Sequence, residues 1–222
     1  MDEERRPRRV GPPERPGALG GKRDRNRKRR VEALVGAGLR LFLKSGIEGV
    51  TIDEIAREAG MAKGNFYRYF RDKADLVEAV LEPVTAAVRR AMGDCDRMLR
   101  DAQGREDTVA AYHHLGAQLI ATLAANRDAT QMYLQERRAP STPAREAISV
   151  LARELDERAI ALTETAVDRG LLSIGDPRIS AIAVSGAVES LALAWLRDQF
   201  PMDPIDTANT LIGLVLDGIR KA

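Results

Sequence analysis

The chain has 222 residues, 44% of them hydrophobic and 31% charged, with a formal net charge of +2 and one cysteine, Cys95. That is apolar material enough for a folded core, while a lone cysteine excludes an internal disulfide framework and no apolar run reads as long enough to span a bilayer. A soluble cytoplasmic protein with no membrane segment is expected, and Cys95, set between Asp94 and Asp96 that disfavour a thiolate, reads as a small helix side chain rather than a redox sensor.

The near-neutral total hides an asymmetry, because residues 1–30 hold 12 Lys and Arg against 5 Asp and Glu. Residues 1–26 are rich in Pro, Gly and Arg and too poor in apolar residues to fold, so they read as a disordered basic arm. Such an arm either follows phosphates or the minor groove of DNA, or serves as a solubilising tail. Within it, GALGGK has glycines spaced one residue too closely for a phosphate-binding loop, and Arg23 stands where a magnesium-binding hydroxyl is required. A first helix follows from about Arg27 to Ser45, its apolar stripe made by Val31, Leu34, Val35, Leu39 and Phe42.

Residues 51–70, TIDEIAREAGMAKGNFYRYF, carry the main signal. Thr51 and Glu54 form a capping box that opens a helix whose buried face is Ile52, Ile55, Ala56 and Ala59, and Gly60 ends it. A second short helix places Phe66 and Phe70 on one face and leaves Lys63, Asn65, Tyr67, Arg68 and Tyr69 outside. Lysine, arginine and tyrosine reach phosphates, asparagine and arginine read base edges, and Gly64 lets a duplex approach the backbone closely. The same polar outer face would also suit any short amphipathic helix.

From Arg27 to about Arg90 the chain resembles the TetR family of bacterial transcriptional regulators, through LFLKSG and GVTIDEIAREAGMAKGNFYRYFRDKADL. Phe42, Gly46, Thr51, Ile55, Ala56, Gly60, the KGNFYRYF run, Lys73 and Leu76 stand in the family's order and spacing. The resemblance implies phosphate contact by Thr51, groove or phosphate contacts by Lys63, Gly64, Asn65 and Tyr67, and a hold on the DNA backbone by Tyr69 and Lys73. Arg68 falls at a variable position of the family pattern and is a candidate for reading sequence.

Asp72 caps a further helix whose stripe runs from Leu76 through Leu99, interrupted by Pro83, which is either a hinge for a ligand signal or the start of a fresh helix. Beyond residue 100 the pattern predicts helices over about 107–125, 127–138, 142–169, 177–199 and 204–220, with no competing strand pattern. The last two are apolar on more than one face, which suits a homodimer built as a four-helix interface. The resemblance implies a small-molecule pocket among the middle helices, with Tyr112, His113, Gln118, Met132, Tyr133, Glu189 and Trp195 as candidates and His114 and Gln135 as further polar ones. Four aromatics outside the head make an aliphatic or lipophilic ligand the expectation, and Glu189, in an apolar helix, would meet either a cationic ligand or an arginine.

His113 and His114 point roughly 100° apart on a helix, so no shared metal is expected, and no acid, base or nucleophile cluster suggests an enzyme or a cofactor. The expected protein is all-α: a three-helix DNA-binding head with a helix-turn-helix (27–88), then a helical bundle for ligand binding and dimerisation (89–222). Its function would be that of a ligand-released repressor on a near-palindromic operator in double-stranded DNA, associated with the bacterial nucleoid. A transcriptional activator and a nonspecific nucleoid-type DNA-binding protein are the alternatives.

Overall fold

The computed structural model describes residues 21–199 and 203–217, and within them the chain is all-α, with nine α-helices and no strand. The expected arm lies mainly in residues 1–20, outside the described residues. The first helix, α1 (Lys22–Ser45), begins five residues before the expected Arg27. No breaker follows Gly21, Asp24 sits favourably in the first turn, and Lys28 pairs with it across one turn at 3.4 Å.

The helix-turn-helix forms as its caps dictate. α2 (Ile52–Glu58) carries the full capping box, with the Glu54 amide donating to Thr51 Oγ1 at 3.2 Å and the Thr51 amide to Glu54 Oε2 at 2.8 Å. Gly60 takes φ +69°, the left-handed conformation that turns the chain toward α3 (Lys63–Phe66). α3 is shorter than expected, because the amides of Arg68 and Tyr69 tighten to bonds three residues back, on Asn65 and Phe66. Phe66 and Phe70 are both buried with ring centroids 5.6 Å apart, and they anchor this segment in the buried core. α1 and α4 approach closely at Gly38, where a Cβ would lie 2.8 Å from Leu76 Cδ2.

Asp72 caps α4 (Lys73–Asp101), a 29-residue helix that passes through Pro83 without restarting. Pro83 lies on the exposed side, where water can satisfy the carbonyl that lost its amide partner, so the fresh-helix alternative does not occur. α4 packs most extensively on α5 (Arg105–Ala125) and α7 (Glu146–Asp168). Between those two come α6 (Arg127–Glu136) and a 3₁₀ turn at Pro143–Arg145. α6 ends two residues short of the expected 138, and α7 starts four later than the expected 142, the intervening 3₁₀ turn opening on Pro143.

α8 (Pro177–Leu196) starts from an Asp176 cap with Pro177 in its first position. It stops before the expected 199 because Asp198 turns to φ +51° and the Gln199 amide closes back onto the Ala194 carbonyl. α9 (Pro204–Asp217) completes the bundle against α5, and the last residues of the expected 204–220 helix lie outside the described residues. Contrary to expectation, α8 is long and apolar enough by composition to cross a bilayer. Its apolarity is divided between residues facing the bundle interior, such as Val184 and Val188, and outward ones, such as Ile179 and Ile182.

A single buried core joins the head to the bundle, running from Phe42, Ile55 and Phe66 through Leu81 and Val84 to Met132, Ile148 and Leu151. A second cluster at the far end of α4 holds Cys95, Leu99, Ala111, Leu162 and Ala166. Burial first, and Asp96 second, push the Cys95 thiol up to about 12, as befits a packing residue.

Candidate functional site

The head presents Lys63, Gly64, Tyr67 and Arg68 as one exposed surface around α3, with Asn65 half-buried at its edge. Tyr67 is 49% exposed, and an edge-on contact with Phe66, centroids 5.5 Å apart, orients its ring. A Cβ on Gly64 would meet no atom of the chain within 4 Å, so packing gives no reason for a glycine in a helix there.

The other three candidates are engaged within the head. The Thr51 hydroxyl donates to Glu54 Oε2 at 2.8 Å, and the Thr51 amide and hydroxyl together hold the Glu54 carboxyl below its usual range. Tyr69 packs half-buried against the core. The Lys73 ammonium donates to the carbonyls of Ile47 at 2.6 Å and Val50 at 2.9 Å, so two of its three protons tie the α1–α2 loop to the start of α4. Lys73 is therefore a brace of the head before it is anything else.

That loop is also gripped from the bundle, by a residue the sequence reading did not single out. Glu136, at the end of α6 and 8% exposed, accepts the Ile47 amide at 3.1 Å through Oε1, and its Oε2 accepts from Arg145 Nε at 2.6 Å. Glu48 completes the junction: it accepts from the Thr142 hydroxyl and lies 3.8 Å from Arg145 and 4.0 Å from Lys73. The Thr142 hydrogen bond first, and the two cations after it, hold the Glu48 carboxyl below its usual range.

A cavity of about 350 Å³, partly open to solvent, lies between α4, α5, α6, α7, α8 and α9. Four predicted residues, Tyr112, Tyr133, Glu189 and Trp195, line it. His113 and Gln118 instead lie exposed on the outer side of α5, and Met132 is buried in the core on the face of α6 away from the cavity. His114 and Gln135 are also absent from the lining. The walls are otherwise mostly Leu, Ile, Val and Ala, and the polar members that the sequence did not flag are Asp156 and several Ser and Thr hydroxyls, Thr130 among them. Glu189 has its arginine: Arg137 pairs with it and reaches both oxygens of Asp156 at 2.9 Å. The Tyr133 phenol and the Thr130 hydroxyl are buried with no hydrogen-bond partner. Burial pushes the Tyr133 hydroxyl up to about 12, so it keeps its proton.

Outside the cavity, α8 and α9 expose large apolar side chains: Ile179 is 70% and Ile205 63% exposed, with Ile182 and Leu214 beside them in chain order. Cβ atoms on Gly186 and Gly213, both inside helices, would meet nothing within 4 Å. Small and large apolar residues facing outward on two helices describe a surface suited to another protein surface.

Comparison with known proteins agrees with this geometry. Residues 34–80 match the model described as bacterial regulatory proteins, tetR family, and residues 106–219, more than half of the chain, match the tetracyclin repressor-like C-terminal domain. The chain is 29% identical over 189 residues to the HTH-type transcriptional regulator BetI of Cronobacter sakazakii, covering 82% of this chain and 86% of that one. Over 51 residues it is 43% identical to the transcriptional regulator AcuR of Cereibacter sphaeroides, a match spanning 23% of each chain. Among solved structures, the fold is similar to NalD, the secondary repressor of the MexAB-OprM multidrug efflux pump in Pseudomonas aeruginosa, at a TM-score of 0.68 and 23% identity, covering 87% of this chain and 97% of that one. It is also similar to FadR of Bacillus subtilis, solved in complex with stearoyl-CoA, at 0.64 and 16% identity over 85% of this chain and 99% of that one.

Proposed function

The chain belongs to the TetR family of bacterial regulatory proteins and is a DNA-binding transcriptional regulator, and we propose that it is a dimeric repressor that a small lipophilic ligand releases from its operator. Residues 27–88 form the DNA head and 89–222 the ligand and dimer part, and the molecule works on the nucleoid in the cytoplasm. In this reading Lys63, Gly64, Asn65, Tyr67 and Arg68 enter the major groove, while Thr51, Tyr69 and Lys73 set the head's distance from the phosphates. Two copies join through α8 and α9 and present two heads to the halves of a near-palindrome. The observation that carries the regulatory part is the place of α6: Thr130, Tyr133 and Leu134 line the cavity, and Glu136, on the same ten-residue helix, holds the Ile47 amide of the head. A ligand that shifts α6 therefore shifts the loop that leads into the helix-turn-helix.

Footprinting on DNA upstream of the protein's own gene tests the reading. Protection of a near-palindromic segment is expected, abolished by Tyr67→Ala together with Lys63→Ala, and relieved by a lipophilic compound that perturbs Trp195, the chain's one tryptophan, in the cavity wall. Uniform protection of all DNA would overturn it.

A further inference from the structure

The two charged side chains that line the cavity, Asp156 and Glu189, are both acidic, and no Lys, Arg or His joins them in the lining. One guanidinium, that of Arg137, serves both carboxylates, so this partly exposed trio carries a formal net negative charge. Arg137 is half-enclosed, with 16% of its side chain exposed, and it comes from behind the lining, at the end of α6. Tyr133 stands four residues before Arg137 and Thr130 three before Tyr133, and both line the cavity together with Asp156 and Glu189. The hydroxyl oxygens of Tyr133 and Thr130 are both buried with no partner, whereas three other threonines of the lining, Thr122, Thr163 and Thr207, each donate to a carbonyl four residues back. A buried hydroxyl without a partner costs stability, which makes this pair a place kept for something else.

Taking the cavity as the effector site, we infer that its ligand is a lipophilic cation whose ammonium group sits between Glu189, Asp156 and the oxygens of Thr130 and Tyr133. An ammonium donates to oxygens that have lone pairs to offer and brings the trio to neutrality. A carboxylate, phosphate or acyl-CoA head would meet two carboxylates and find the one guanidinium already shared. The apolar remainder of the walls takes the aliphatic part. Because Arg137 follows Glu136 directly, a cation that competes for Asp156 and Glu189 loosens Arg137 and acts on the turn of α6 that holds the head.

Decylamine, 1-decanol and decanoate share one chain length and differ in the head, and all three are titrated below micelle formation. Trp195 fluorescence reports occupancy and operator-DNA anisotropy reports release. Decylammonium is expected to bind about tenfold more tightly than decanoate, with 1-decanol between them. Glu189→Gln should erase the advantage of the amine over the alcohol by weakening decylammonium. Tyr133→Phe removes only a hydroxyl that bonds to nothing in the protein, so it should fold normally and weaken decylammonium alone. Decanoate binding as tightly as the amine, or an amine preference that survives both variants, overturns the cationic head but leaves a lipophilic effector standing. Silence of Trp195 and of the DNA complex toward all three probes overturns the effector cavity itself.

Discussion

Replacing Glu136 with Ala tests whether the bundle holds the head through one carboxylate. The substitution leaves the buried Ile47 amide without its acceptor, a loss of about 1–3 kcal/mol, and removes one partner of a largely buried ion pair, for which about 3–5 kcal/mol is typical. These do not add in full, because Arg145 keeps the Pro140 carbonyl at 3.5 Å and Glu48 at 3.8 Å. A net loss of roughly 2–4 kcal/mol is expected, which for a chain of this size lowers Tm by about 5–15 °C. Glu136→Gln retains an acceptor for Ile47 and should lose about half as much. Differential scanning calorimetry reads the stability, and operator anisotropy with and without a ligand reads the coupling, which should weaken in the Ala variant more than DNA affinity does. An unaltered Tm together with an unaltered ligand response would refute the assignment of Glu136 as the tie between the two parts.

Gly64→Ala should raise helix stability by about 0.5–1 kcal/mol yet weaken operator binding, since its Cβ clears the protein but not an apposed duplex; equal affinity by anisotropy would count against the groove assignment. Ile182→Arg on the outer face of α8 should shift sedimentation from dimer to monomer while preserving helical circular dichroism, and an unmoved dimer would locate the interface elsewhere. Glu154 on α7 is held down to about 2, first by its hydrogen bond from Arg89 on α4, at 2.7 Å, and then by Arg158. Its folded value lies below the unfolded one, so the pair stabilises the fold above the ordinary glutamate range, and that contribution fades as pH falls from about 4.5 toward 2. Wild type should therefore lose its Tm advantage over Glu154→Gln across that interval, and a constant gap in a pH series of melts would contradict the pairing.

Features written in neighbouring residues were legible from the chain alone. The capping box needs only Thr51 and Glu54, and the turn needs only Gly60, so the reading helix could be placed to within a few residues. Orientation within the apolar helices was not. On α5, Tyr112 faces the cavity and His113, one residue on, is turned outward, while on α6 Met132 faces the core and Tyr133 the cavity. Nothing in a segment apolar on several sides says which side a cavity takes. Glu136 was invisible for a different reason, because its partner Ile47 stands 89 positions away and its neighbours QERR read as an ordinary charged helix end. Arg137 was foreseeable only as some arginine for Glu189, since pairing rules give the type of a partner and not its number.

The shared core that runs from Phe66 to Leu151 makes the border between reading and sensing parts a matter of bookkeeping rather than of mechanics. A fragment cut after residue 88 would strip Met132, Ile148 and Leu151 from the apolar surfaces they cover. Such a fragment should melt early, and the intact chain should melt in one transition instead of two. Anyone building a chimaera with this head would have to bring the 129–151 segment along with it, so the transplantable unit is discontinuous in sequence.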